Sequence, residues 1–456
     1  MADANLVDLL FQRAILLEAL GRVDEAKDAY RDLIERVPTH AGAHNNLARI
    51  LHREGDRAAA RSLLERVVDF APSDAMASAN LGLVLFELEH FPEARSHLEA
   101  ALRLDPDSAI AHLGMARLFA LEGNETESLR HQRAALGTAA ISINAYGALR
   151  EGVPRLLLLT SEDQFGATSG EWLSDATFSI ATLVVERFHD GLDLPPHHVV
   201  FNTISDADRN AGALERARTI AARSAAPLVN PPDAILATAR TALRERLRDL
   251  PDIIVPETRM FARDGAIPDV GWPLLLRAPG FHSGQHFLRV ERPEEIAAAL
   301  ARLPGDELLA IEALPAQSAD GLFRKYRMMI VDGELYPMHA AISNDWKVHF
   351  FSAEMAQHPE RRAEDEAFLR SPEAVLGASA LHALHAIRER LHLDYGGIDF
   401  ALDERKRILV YEANATMTVP APRSGAEWDY RREPVARILE ATRSMLLSRA
   451  RRGGWE

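Results

Sequence analysis

The 456-residue chain contains no cysteine, which excludes disulfide bonds and thiolate metal sites. Lysine is almost as scarce. It occurs only at Lys27, Lys325, Lys347 and Lys406, so arginine supplies nearly all of the positive charge. Positive charge as a whole is in deficit, with a formal net charge of −15. A phosphate backbone would be repelled over most of such a surface, and broad nucleic-acid binding is not expected. No apolar run approaches the roughly 20 residues needed to cross a bilayer. The opening stretch, MADANLVDLLFQR, lacks the basic, apolar and small-residue succession of a secretory leader. These absences give the expectation of a cytoplasmic protein with neither membrane nor nucleic acid as partner. What remains is an ordinary globular balance, 47% hydrophobic and 26% charged. The length is too great for one core and predicts about two to four structural units.

The first third repeats itself. Pro38, Pro72 and Pro106 are spaced by 34 residues, and Gly21, Gly55, Glu89 and Gly123 fall on the same grid. Ala26, Ala60, Ala94 and Ser128 follow those positions by five, and Leu17, Leu51, Leu85 and Phe119 precede them by four. Each column has a physical task. The glycine-like position turns the chain between two antiparallel helices. The small residue allows the second helix to approach the first. The proline cannot continue a helix and so closes each unit. Apolar residues at spacings of three and four in LARILHREGDRAAARSLLERVVDFAP predict the amphipathic helices between them. On these columns, about residues 5 to 137 resemble the tetratricopeptide repeat, which implies an all-α helical-repeat solenoid with a groove able to hold a peptide or protein. If that geometry applies, Asn46 and Asn80 occupy equivalent first-helix positions for contacting a peptide backbone, with Met76, Leu83 and Phe86 nearby. The alternatives for such positions are inter-repeat packing or a homodimer contact.

After Gly137 the period changes. AALGTAAISINAYGALREGVP reads as a short helical connector over 138–153. Arg155 to Thr160 is a continuous apolar run of the kind found in a buried parallel strand. A helix near Ser174 to Phe188 is expected next, then a strand at His198 to Ile204. A helix near Asn210 to Arg223 and a short strand at Pro227 to Val229 follow. Ala234 to Leu250 reads as an arginine-rich helix ended by Pro251, leading into the edge-like strand VPETRMF. WPLLLRAPGFHSGQHFLRV predicts strand, glycine turn and strand, and LLAIEALP a further strand. KYRMMIVDGELYPMHAAIS predicts a hairpin turning at Asp332 and Gly333. LDYGGIDFAL and RILVYEANATM predict two strands joined at Asp403 to Lys406, and the basic C-terminal stretch predicts an amphipathic helix.

The chemistry concentrates in these last strands. Asp399 is expected at a strand end, and Glu412 and Asn414, two apart, share one face of the next strand. Two carboxylates and an amide oxygen suit Mg²⁺, which completes its shell with phosphate oxygens and water. The alternative is surface ion pairing with Arg405, Lys406 or Arg407. Gly280, His282, Ser283 and Gly284 form a turn whose backbone N–H groups can cradle phosphate, although taken alone an ordinary hairpin explains them better. Arg277 closes the preceding strand, Glu312 closes LLAIE, and Lys325 and Arg327 lie on one strand face where they can neutralise a triphosphate.

Taken in order, the arginine-rich helix, strand-end cation with glycine turn, hinge strand, cationic strand and D-x12-E-x-N resemble the ATP-grasp superfamily over about residues 154 to 446. The match is nearest the glutathione-synthetase and ribosomal-protein glutamate ligase branch. The resemblance implies an α/β (α+β) fold divided into 154–233, a small subdomain over 234–312 and a large subdomain over 313–456. It implies ATP and Mg²⁺ as cofactors, and a ligase that forms a C–N bond through an acyl phosphate. Glu312 then passes the adenine. Arg240 and Arg277 stand where that family carries two phosphate-binding lysines, a change that is not neutral. His339, Asn344, Lys347 and His349 lie in the stretch that borders the γ-phosphate and the acceptor, so Arg327, Lys347 and His339 are candidates at the reacting atoms. Arg423, in the loop after Asn414, is placed to hold a substrate carboxylate. A nucleotide-sensing scaffold without chemistry, and a small-molecule ligase whose repeats only dimerise it, are the competing readings.

Overall fold

The computed structural model describes residues 2–19, 22–122, 124–137, 139–143, 152–162, 177–279, 284, 286–350, 353, 355–420, 422 and 425–455. Two compact units emerge, one built on residues 1–153 and the other mainly on 154–161 and 182–456.

The first unit is a succession of helix pairs: α1 (Ala2–Ala19) with α2 (Val23–Arg36), α3 (Ala41–Arg53) with α4 (Arg57–Phe70), α5 (Ala75–Glu87) with α6 (Phe91–Leu104), and α7 (Ala109–Leu121) with α8 (Glu125–Ala135). The small-residue column is buried throughout, with Ala26, Ala60 and Ala94 at 0% exposure. In the fourth unit Ser128 takes that place by donating its hydroxyl to Ala116 O at 2.9 Å. Where it is described, the glycine column is a left-handed turn, Gly21 and Gly123 lying outside the described residues. Gly55 has φ +88, and Glu89 adopts φ +63 in the same place. Five helices begin on a side chain that accepts from the first turn: His40, Asp56, Asp74, Ser108 and Asn124. Leu98 fills the seam between α5, α6 and α7, and a Cβ placed on Gly82 or on Gly114 would lie 2.6 Å from it. Those two glycines therefore allow helix approach rather than turning the chain.

Past α8 the described part of the expected helical connector is not helical. Ile141–Ile143 is a short strand (β1), and 144–151 lie outside the described residues. The helix expected near Ser174 to Phe188 is likewise replaced by strand β3 (Ser179–Val184) and one 3₁₀ turn at Val185–Arg187. The run SIATLVV is rich in β-branched residues and almost wholly buried, a pattern that favours a core strand over an amphipathic helix.

In the second unit, β2 (Arg155–Thr160), β4 (Val199–Asn202) and β5 (Leu228–Val229) run parallel. Helix α9 (Ala207–Ala221) follows β4. The long helix expected over Ala234 to Leu250 is divided into α10 (Pro232–Leu236) and α11 (Arg240–Leu247), with Arg240 opening the second piece. A second sheet has the order β7-β10-β8-β9, from Thr258–Ala262, Glu307–Glu312, Leu274–Arg277 and Phe287–Val290, with the short helix α12 (Ile296–Leu300). Its core is Phe261, Leu274, Leu276, Val290, Leu308 and Ala310.

The third sheet has the order β12-β11-β13-β14-β6. Here β11 (Phe323–Val331) and β12 (Glu334–Ser343) form the expected hairpin, with φ +49 at Asp332 and +81 at Gly333. Strands β13 (Tyr395–Leu402) and β14 (Ile408–Ala415) pair antiparallel. The edge strand β6 (Ile253–Ile254) comes from the segment expected to belong to the small subdomain. Helices α13 (Pro359–Arg370), α14 (Pro372–Leu376), α15 (Ala378–Leu391) and α16 (Arg432–Arg452) complete this unit. His382 and His385 lie three apart on α15. The chain thus joins a helical-repeat region to a mixed α/β region with several sheets.

A row of buried charge across the third sheet

Cross-strand register brings the candidate residues together. His339 on β12 faces Arg327 on β11, Arg327 faces Asp399 on β13, and Asp399 faces Glu412 on β14. Directly opposed residues share a face, so these four side chains form one row. Lys325 and Asn414 join the same face from two residues away. Asp399 does not end its strand as expected. It lies within β13, and β-bulges flank the row, one between Arg327 and Met328 and one between Asp399 and Phe400. Bulges re-aim side chains at such sites.

The row is held by short ionic contacts. Arg327 grips Asp399 through both Nε (2.6 Å) and Nη2 (2.8 Å), and Lys325 Nζ donates to the same carboxylate at 3.0 Å. Asp399 is 1% exposed. Burial alone would raise its pKa, but Arg327 and Lys325 hold it well below the usual carboxylate range. Arg240 crosses from α11 and donates Nη2 to Glu412 Oε2. Its backbone N–H and Nη1 donate to Asp208, at 3.0 and 3.4 Å, and Asp206 lies 3.8 Å from Nη1. Burial pulls Arg240 down, yet Glu412, Asp206 and Asp208 together push its pKa upward. Burial likewise acts to raise Glu412, against which Arg240 brings it down to about 2. Arg277 also feels this cluster. Burial first, then repulsion by Arg240, brings it down to about 10. Its guanidinium sits 5.5 Å from the centre of the Phe287 ring.

Two histidines border the row. His339 is buried, and among the described residues its Nε2 has no hydrogen-bond partner. Burial followed by the Arg327 charge holds it neutral, well below the usual imidazole value. His349 is lowered to about 4, first by burial and then by Lys325 and Arg327. The glycine hairpin reaches the same neighbourhood: Gly284, at φ +76, has the Lys347 side chain 3.0 Å from where a Cβ would stand, and Phe287 meets Trp346 edge-on at 5.2 Å. Gly280, His282 and Ser283 lie outside the described residues, as does Arg423. Glu312 ends β10 as expected, with its carboxylate accepting from Arg244 Nη1 and Glu257 N, each at 2.9 Å.

The alternative pairing of Asp399 and Glu412 with Arg405, Lys406 or Arg407 does not occur. Arg407 bonds Asp403 in the turn instead. Among the described residues, no group of three His, Cys, Asp or Glu side chains is placed to hold a metal ion. Asp399, Glu412 and Asn414 nevertheless suit a hard divalent cation that shares its shell with phosphate and water, because they offer two adjacent carboxylates and an amide on one face.

Sequence reading missed Asp206 and Asp208. In ISDADRN they have the composition of an ordinary helix start, and only the fold carries them to Arg240. In the repeats, Asn46 is turned inward, donating Nδ2 to Tyr30 Oη at 3.0 Å. Leu83 and Phe86 pack within and between repeats, whereas Met76 is 57% exposed.

A tetratricopeptide-repeat family model matches residues 11–75 and 80–142. Among solved structures, a crystal structure of MamA is similar over 30% of this chain and 79% of its own, with 21% identity and a TM-score of 0.27. MamA 41-end from Desulfovibrio magneticus RS-1 is similar over 28% and 73%, with 24% identity and a TM-score of 0.26. A search of curated proteins returns no match. By the family match, residues 11–75 and 80–142 are tetratricopeptide repeats, and no helix among the described residues is long and apolar enough to cross a membrane.

Proposed function

We propose that the second unit is an ATP- and Mg²⁺-dependent carboxylate–amine ligase of ATP-grasp type. The observation that carries this reading is the row Arg327–Asp399–Glu412, flanked by Lys325 and Asn414 and closed by Arg240. Arg240, Arg277, Lys325 and Arg327 are balanced against Asp206, Asp208, Asp399 and Glu412. The balance supports an exchange in which polyphosphate oxygens take the cations and a divalent cation takes the carboxylates. Asp399, Glu412 and Asn414 would hold that cation, which supplies charge neutralisation on the transferring phosphoryl group.

Four cations then orient the triphosphate, worth most in a site with little water. Lys325 and Arg327 serve the end nearest His339 and His349. The γ-phosphoryl passes to a substrate carboxylate and ADP leaves. The amine nitrogen then forms the C–N bond as the C–O bond to phosphate breaks, and one amine proton is released with the phosphate. His339 and His349, neutral near pH 7, add no positive charge to repel an incoming amine and can accept a hydrogen bond from it. The repeats are the natural recruiter of a peptide or protein substrate, with the exposed Met76 better suited to contact than Asn46, which is committed to Tyr30.

The test is incubation of the full chain with ATP, Mg²⁺ and hydroxylamine against a panel of carboxylic acids and acidic peptides. Acid-dependent hydroxamate with equimolar ADP is expected. Release of AMP in place of ADP, or turnover indifferent to the acid, would overturn the reaction type. Saturable ATP binding with no turnover for any acid would favour the nucleotide-sensing scaffold.

A further inference from the structure

The search for chemistry outside the charged row leads to the residue that opens α9. Asp206 follows β4 at the carboxyl edge of the parallel strands, the side on which open α/β sheets place ligands. It occupies the N-cap position yet does not cap: its side chain accepts nothing from the first turn of α9, and its backbone is left-handed at φ +48. Asp56 and Asp74, in the repeats, cap their helices from ordinary φ values near −80. A strained backbone and a forfeited cap are retained where something else fixes the residue. Asp206 is 7% exposed, and among the described residues neither of its oxygens has a hydrogen-bond partner. The nearest cation is Arg240, at 3.8 Å. Polar groups wall the same strand ends. Ser161 Oγ donates to Glu186 Oε1 at 2.6 Å, and Asn210 Nδ2 donates to Ser205 O at 2.9 Å. Thr416, just past β14, donates to Thr203 O at 3.0 Å and joins this edge to the strand that carries Glu412.

We propose that Asp206 is the seat of a primary ammonium group of the substrate, one held apart from the reacting nitrogen, an assignment that rests on the ligase reading above. Once phosphate draws Arg240 and Arg277, the carboxylates are left with unequal needs. Asp208 keeps the Arg240 N–H and the Thr241 hydroxyl, and Glu412 is offered to the divalent cation. Asp206 alone is left buried without a donor, a costly state that a new N–H-bearing cation relieves. An alkylammonium brings both charge and donors. A quaternary ammonium brings charge alone. Nucleotide is therefore expected to strengthen amine binding.

The experiment is calorimetric titration of the full chain with methylammonium chloride, with tetramethylammonium chloride as control. It is run with and without a non-hydrolysable ATP analogue and Mg²⁺. Two variants, Asp206→Asn and Asp206→Gly, both tolerate the left-handed backbone and so keep the fold. Wild type is expected to saturate with methylammonium and not with the control, more tightly when the analogue is bound. Loss of a charge-assisted contact should weaken methylammonium binding about tenfold or more in both variants. The analogue's own affinity should change by less than about threefold, because Asp206 is placed against the amine and not the phosphates. Equal methylammonium affinity in wild type and variants, or no saturation in wild type, would overturn the assignment. So would a parallel loss of analogue affinity, since Asp206 would then act through Arg240. Methylammonium binding in a wild-type chain that ignores the analogue would leave the amine seat standing and remove the ligase reading instead.

Discussion

The two regions of this chain treat charge in opposite ways. In the repeats, many charged side chains pair on the surface three or four residues apart, such as Arg22–Glu25, Arg36–Asp32 and Arg61–Glu65, and Glu18 is buried against Arg49. The surface pairs are worth little. Cohesion there comes from Leu33, Leu64, Leu98 and Leu118, packed against alanine and glycine. The second region buries its charge, and does so in two ways. Asp365 has a full set of donors: Ala340 N at 2.7 Å, Tyr430 Oη at 2.7 Å and Arg431 Nη1 at 2.5 Å. Arg431 in turn bonds Met338 O at 2.9 Å and lies over Phe350 at 4.3 Å. That network is satisfied and needs no ligand. The row around Asp399 and Glu412 is different, since its four cations are shared among four carboxylates and, among the described residues, the Asp206 carboxylate accepts no hydrogen bond. A completed network is a structural staple, whereas the incomplete one is what the binding proposal rests on.

The comparison can be broken most severely at Asp365. Asp365→Ala leaves Arg431 buried without its anion and should cost about 3–5 kcal/mol. Urea unfolding should show the loss in the second unit, with the repeats' transition unmoved. A change under about 1 kcal/mol would mean that the staple is not structural. Next comes Leu98→Ala. Gly82 and Gly114 flank the site and have no side chains to fill the void, so about 3 kcal/mol should be lost, this time from the helical transition of the repeats. Asp74→Ala removes both the cap on Ala77 N and the acceptor for Asn45 Nδ2. About 1–2 kcal/mol is expected, seen as a lower melting temperature of the repeats.

The smallest effect is a pH dependence. His112 and His131 meet in the last repeat, Nδ1 to Nδ1 at 2.8 Å, with Arg130, Arg95 and Glu127 around them. Burial first, and then Arg130 and His112, lowers His131 to about 4. The unfolded chain takes up that proton near pH 6.5, and the folded chain does so only near pH 4. The repeats' melting temperature should therefore hold above pH 6.5 and decline as pH falls toward about 4. His131→Gln should flatten that decline, and an unchanged slope would show that another group is responsible.

Legibility in the sequence followed the range of the interactions. The repeats could be read because their contacts recur at a fixed local period, so Ala26, Ala60 and Ala94 announced their burial. The hairpin at Asp332 and Gly333 and the β13–β14 pair were legible for the same reason, each closing on itself through a short turn. Expectation failed where the neighbour is distant. Ser179–Val184 was misread because a short buried strand carries no alternation to separate it from a helix face. The arginine-rich helix broke between α10 and α11, which lets Arg240 open α11 beside Asp208. Residue types at Asp399, Glu412 and Asn414 were informative, but Arg240 meets Glu412 across 172 residues of chain. Asp206 was hidden more thoroughly, since an aspartate before a helix is one of the preferred caps and only its failure to cap sets it apart.

The claim that the row is built for nucleotide with a divalent cation is tested most directly by calorimetric titration of ATP into the full chain. Wild type and Glu412→Gln should be compared, each with and without Mg²⁺. Glu412→Gln leaves Arg240 with Asp206 and Asp208, so the variant should remain folded and its cost should stay below that of Asp365→Ala. The account predicts saturable, Mg²⁺-dependent binding in wild type and binding weaker by about tenfold or more in the variant, with the Mg²⁺ dependence largely gone. ATP affinity that is the same with and without Mg²⁺, and the same in Glu412→Gln as in wild type, would contradict it.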